Sequence, residues 1–179
     1  MLEQSSLKAG ITLRFHRPLR KDLHVADARS RIVAAAIAEL GNTDPSRYWV
    51  DVLDPPQANP RDGNGKPLSW CGACHLYCIH QGAPETRRVK WIPGLGFVGP
   101  MKLRTTKTPR PGDTAYRAKG QHYATIIDVG DGWITTCDGN SVERDGCRII
   151  RYGVVAKHER TPISEWTAFY DIGPLIGEP

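Results

Sequence analysis

Long apolar runs are missing from this sequence. The longest, Ile32 to Ala38, falls far short of the roughly 18 residues that a membrane-spanning helix needs, so no membrane insertion is expected. Residues Met1 to Asp22 contain no apolar h-region and no small-residue cleavage site, and no secretory signal is expected. Cysteine is sparse and odd in number, at five, which argues against a complete disulfide framework and for reduced thiols in the producing cell. Internal repeats and low-complexity tracts are absent, which removes solenoids, collagen-like chains and coiled coils. No block of like charge occurs either. Lys+Arg at 24 outweigh Asp+Glu at 19, but the basic residues are dispersed (Arg14, Arg17, Arg20, Arg87, Arg88, Arg104, Arg110). The net charge of +5 suits a polyanionic partner. With no recognisable binding motif beside it, nucleic acid is not the expected one.

What remains is an ordinary globular composition, 40% hydrophobic and 24% charged over 179 residues. A chain of that size buries enough surface to fold without disulfides or metal, and a monomer is expected. Residues 1–25 read as an arm or lead-in and 26–179 as one domain. From Ala26 to Leu40, apolar residues recur at helical spacing (Ile32, Val33, Ala36, Ile37, Leu40), with Gly41 as a stop. The connection Asn42 to Ser69 carries five prolines and is expected to lack regular structure through most of its length. A second helix is expected from Cys71 to a stop at Gly82, followed by a loop-like stretch over 83–112.

Beyond Asp113 the period switches to two. Strands are expected at Thr114–Arg117, His122–Val129, Gly132–Cys137 and Cys147–Val155, and a short helix near Ser164–Phe169. Helices first and an antiparallel sheet later predict an α+β fold.

Two local features point to chemistry. In Ser69-Trp70-Cys71-Gly72-Ala73-Cys74 a cysteine stands where a polar loop turns into a helix. The helix dipole and the free first-turn N–H groups favour thiolate there, and the same N–H groups suit a developing oxyanion. Farther on, His122 opens the apolar strand Tyr123 to Val129, and the next strand leads to Asp138-Gly139-Asn140. A strand-borne imidazole can be oriented through its second nitrogen by a neighbour such as Asp138 or Asn140. Cys78, one helical repeat beyond Cys71, fits a structural cysteine.

These residues, in this order, resemble the CHAP family (cysteine, histidine-dependent amidohydrolases/peptidases), papain-like hydrolases that cut bacterial peptidoglycan. The likeness extends from about Ala26 to the C-terminus. The helix Ala28–Gly41 resembles the family's opening helix, Ser69-Trp70-Cys71 with Tyr77-Cys78 its nucleophile helix, and Arg110-Pro111-Gly112-Asp113 the start of its first strand. His122 with its apolar strand, Asp138-Gly139-Asn140, and the aromatic tail Trp166–Leu175 follow the same pattern. Gln121 stands where many relatives have Gly, and Asp138 where Glu or Asn is commoner.

The resemblance implies a papain-like fold, with Cys71 as nucleophile, His122 as general base and later general acid, and Asp138 or Asn140 orienting the ring. A carboxylate favours Asp138, because it also stabilises imidazolium. It further implies acyl transfer through a thioester, with peptidoglycan as partner and neither metal nor organic cofactor required. Made without a signal peptide, such a protein would reach the cell wall or periplasm as a phage-type lysin. Alternatively it would arrive as an injected effector, which implies a cognate immunity protein in the producer.

Two rival chemistries share the same residues. Trp70-Cys71-Gly72-Ala73-Cys74 also resembles the thioredoxin redox motif, which would make Cys74 essential. That motif follows an apolar strand in a βαβ unit, whereas Arg61 to Pro67 here is polar and turn-like. A zinc site could draw on Cys71, Cys74, His75 and Cys78, but one helix does not easily wrap a tetrahedral ion. Cys137 and Cys147 could face each other on paired strands, although free thiols are expected. Trp49, Trp91, Trp133 and Trp166 read as core or groove packing.

Overall fold

The computed structural model describes residues 27–92, 95–99, 102–145 and 148–178. The expected arm, residues 1–25, lies outside them. Helix α1 (Ala28–Ala38) forms where the apolar residues have helical spacing, and the Asp27 carboxylate caps it by accepting from the Ser30 N–H at 2.7 Å. Helix α3 (Cys71–Gly82) occupies the expected span. Its last glycine is where α1 crosses closest, since a Cβ on Gly82 would lie 2.4 Å from the Ile32 backbone nitrogen.

The strands are β1 (Arg104–Thr105), β2 (Thr114–Arg117), β3 (His122–Gly130), β4 (Trp133–Asp145), β5 (Arg148–Pro162) and β6 (Ala168–Asp171). They form one antiparallel sheet in the order β1-β6-β2-β3-β4-β5. The fold is α+β, with the helices on one face of the sheet. Ile32, Trp49, Leu76 and Ile79 fill the helix-facing core, together with Cys74 and Cys137. On the far face Ala124, Ile126 and Ile134 pack under Trp166 and Phe169. Burying each of the larger apolar side chains contributes about 1.5–3 kcal/mol.

A buried arginine ties α1 to the sheet and to Glu178. Arg29 on α1 donates to Asp113 at 2.6 Å, to Asp171 at 2.7 Å and to Glu178 at 2.9 Å. Asp113 belongs to the Arg110-Pro111-Gly112-Asp113 segment, so that motif is the anchor between the opening helix, the sheet and the C-terminal tail.

Two expectations are corrected and one is refined. The Pro-rich connection 42–69 lacks regular structure through most of its length but holds one short helix, α2 (Ser46–Val52), with Tyr48, Trp49 and Val52 buried. Proline is tolerated at a helix start, so Pro45 precedes α2 without breaking it. The short helix near Ser164–Phe169 is only a 3₁₀ turn at Ile163–Glu165, and Phe169 lies in β6, paired with β2. There an apolar alternation that buries Phe169 outweighs a weak helical signal.

The second correction concerns β4, which continues past Cys137 through Asp138-Gly139-Asn140, while β5 runs on to Pro162. Register shifts between Asp138 and Ser141 absorb the residues that interrupt the period of two. Cys137 faces the helices, its thiol donating to the Ala36 carbonyl at 3.1 Å, and its register partner is Lys157. Cys147 lies outside the described residues, and so does its suggested pairing.

Candidate active site

Helix α3 begins at Cys71, and its first intrahelical bond runs from the Cys74 N–H to the Trp70 carbonyl at 2.9 Å. The first-turn N–H groups ahead of that bond have no intrahelical acceptor. Cys71 is 3% exposed. Gly72 keeps the helix start open to its neighbours, because a Cβ there would lie 2.3 Å from the Trp91 ring. Glycine is therefore required at this position for the aromatic wall beside the sulfur.

His122 is the first residue of β3 and leaves a tight turn, with Gly120 and Gln121 both in the left-handed region at φ +85 and +50. A left-handed φ is unusual for glutamine and explains why glycine would suit position 121. Alternation along β3 turns Tyr123 and Thr125 toward the helices and His122 and Ala124 toward Trp166. The His122 Nε2–H donates to Asp138 Oδ2 at 2.7 Å, leaving Nδ1 as the ring nitrogen available to Cys71. Asp138 is 3% exposed.

Its placement depends on the next residue. A Cβ on Gly139 would lie 2.6 Å from Cys74 Cβ and 3.1 Å from the Trp70 ring, so only glycine lets β4 press against α3.

The electrostatics of the pair are cooperative. Burial alone pushes the Cys71 thiol up, but His122, the Tyr123 N–H and the Ser69 hydroxyl together bring it below its usual value of 9.0. Burial alone would lower His122, yet Asp138 and Cys71 raise it to about 10. Both shifts favour a thiolate–imidazolium pair. The Gln121 carbonyl lies 3.8 Å from Sγ, a weak acceptor that suits only the neutral thiol, and the imidazolium beside it outweighs it.

Asn140 takes a different place from the one open to it in the sequence. At φ +52, its amide donates to Ser69 Oγ at 3.0 Å and not to His122. Ser69 Oγ, occupied as an acceptor, keeps its own proton free to point at Sγ, 3.7 Å away. Asp138 and Asn140 therefore serve opposite ends of the pair, the ring and the sulfur. The role of Ser69 carries no sequence signal beyond its being two residues before the cysteine.

Trp166 also escaped the sequence reading as a site residue. Its ring centroid lies 6.4 Å from that of His122, and the Arg117 guanidinium stacks 4.4 Å from the Trp166 ring centroid.

Cys74, Cys78 and His75 are buried in the core away from this pair. Cys74 packs on Gly139 in the core, and Cys78 is held well above its usual pKa by its hydrogen bond to Cys74 and by burial. His75 is fully enclosed between the Thr125 and Thr114 hydroxyls at 2.7 and 2.6 Å, and burial lowers it to about 3. Among the described residues no group of three or more His, Cys, Asp or Glu side chains is placed to hold a metal ion.

Two grooves adjoin the pair, one lined by Cys71 and the other by His122. One, of ≈ 390 Å³, is lined by Cys71, Trp49, Leu68, Trp91, Tyr116 and Tyr123 among others. The other, of ≈ 450 Å³, includes His122, Asp138, Arg117, Arg144, His158 and Trp166 in its lining. The chain matches no family model, no curated protein and no solved structure.

Proposed function

We propose that the chain is a papain-like cysteine amidohydrolase of bacterial peptidoglycan. The observation that carries the reading is the position of His122, held by Asp138 at one nitrogen and set against a helix-start thiol at the other. In the proposed reaction the Cys71 thiolate attacks an amide carbonyl, and first-turn N–H groups of α3 receive the oxyanion. Imidazolium at His122 passes its proton to the departing nitrogen, the C–N bond breaks, and a thioester remains on Sγ. Water, deprotonated by His122, then attacks the thioester, the C–S bond breaks, and the acid is released with the thiolate–imidazolium pair restored. Asp138 keeps the ring oriented and its imidazolium stabilised throughout.

Peptidoglycan as the substrate rests on the CHAP-like order of motifs, and the net charge of +5 suits an anionic wall. Delivery as a lysin or as an injected effector, with an immunity protein in the latter case, belongs to the same proposal. The thioredoxin-like alternative is less well supported, because Cys74 faces the core against Gly139 while the histidine–carboxylate pair stands at Cys71. Digestion of purified sacculi, with products identified by mass spectrometry, tests the function and names the bond cut.

A further inference from the structure

The direction of acyl transfer assigns each groove to one half of the substrate. The carbonyl carbon goes to Cys71 and the proton on His122 goes to the leaving nitrogen. The acyl half therefore lies in the aromatic groove that Cys71 lines, and the released amine lies in the polar groove that His122 lines.

The polar groove holds more positive charge than it neutralises. Asp138 is engaged by His122, and Ser141 and His158 bond each other at 2.8 Å. Arg117 stacks on Trp166 and sits 3.6 Å from the Glu165 carboxylate, an exposed pair longer than a hydrogen bond. Arg144 has no partner among the described residues. Arg117 and Glu165 offset each other, and one guanidinium is left over on the wall that faces the leaving amine.

We infer that this groove binds a carboxylate carried by the leaving half, so that the protein selects amides whose released amine is an amino acid or peptide with a free carboxylate. The inference rests on the hydrolase reading. Arg144 supplies the open fork, whose planar donors match a carboxylate two to two, and Arg117 lies in the same groove as the second cation. A carboxamide in the same place removes the charge and presents N–H groups to a donor, so it is disfavoured.

The test uses the full chain in two arms. In the first, the Cys71→Ala variant is titrated with alanyl-glutamate and with its diamide, followed by NMR at the Trp166 indole N–H. The free acid is expected to bind at least tenfold more tightly, and Arg144→Gln, a change at an exposed side chain, to erase the difference. In the second arm, peptidoglycan fragments with free carboxyls and the same fragments amidated with ammonia are offered to the active protein and to Arg144→Gln. The expected result is a loss of at least tenfold in kcat/KM on amidation, shrinking to within threefold in the variant. Equal binding of the two dipeptides, or equal cleavage of the two fragment sets, overturns the carboxylate site. Cleavage of neither set beside a preserved binding preference overturns the hydrolase reading and leaves the carboxylate site standing.

Discussion

Asn140 and Asp138, two residues apart on β4, act on different partners: Asp138 accepts from His122 at 2.7 Å, and Asn140 donates to Ser69 at 3.0 Å. The account therefore predicts unequal losses. Asp138→Asn removes the charge that stabilises imidazolium and lowers kcat by about 10²–10⁴. Asn140→Gly keeps the left-handed backbone and loses only the tether on Ser69, for a loss of about tenfold or less. Steady-state kinetics on one substrate compare them, and equal losses would contradict the assignment.

The pH dependence of kcat/KM follows from the same pair. Activity needs Cys71 ionised and His122 protonated. The thiol lies below its ordinary value, so the acid limb falls below pH 9.0, and His122 is raised to about 10, so the alkaline limb lies near there. In Asp138→Asn the ring loses its principal raising partner, and the alkaline limb moves to lower pH. A limb that stays in place would show that Asp138 does not act through the ring.

Gly139 and Cys74 form a steric couple across the helix–sheet contact. Gly139→Ala drives a methyl into Cys74 and costs about 1–3 kcal/mol. Cys74→Ala makes room, so the double variant recovers part of that loss. Denaturant unfolding of the four proteins gives the coupling, and strict additivity would contradict the contact.

His75 gives the fold a dependence on pH separate from catalysis. It stays neutral when folded, lowered by burial to about 3, whereas the unfolded chain protonates it near 6.5. The unfolded state thus binds the extra proton, and stability falls as pH drops below 6.5. His122, raised instead, is protonated in both states there and adds nothing. His75→Gln is expected to lose about 1–3 kcal/mol at pH 7 through its threonine partners and to flatten the slope between pH 6.5 and 4.5. Denaturant melts across that range measure it.

Much of this site was legible in the chain. The span of α3 and the strand that opens at His122 follow from local composition and alternation, whereas the grouping of Cys71 and His122 with Asp138 or Asn140 comes from the order of motifs that the CHAP resemblance supplies, which leaves the choice between the last two open. Less visible were relations made in three dimensions. Helix α2 was hidden by the prolines around it, although the burial of Trp49 outweighs them. Asp138-Gly139-Asn140 reads as an interruption of a strand because its irregularity is absorbed by register shifts in pairing with β5. Trp166 reaches His122 through the pairing of β6 with β2, which no local pattern of its own signals.

The central claim is tested most directly by digesting purified sacculi with the unaltered protein, Cys71→Ala and Cys74→Ala, and identifying the products by mass spectrometry. The account predicts soluble fragments from the unaltered protein and from Cys74→Ala, and a loss of at least about a thousandfold in Cys71→Ala. Fragments from none of the three would contradict peptidoglycan as the substrate, and undiminished release by Cys71→Ala would contradict the nucleophile.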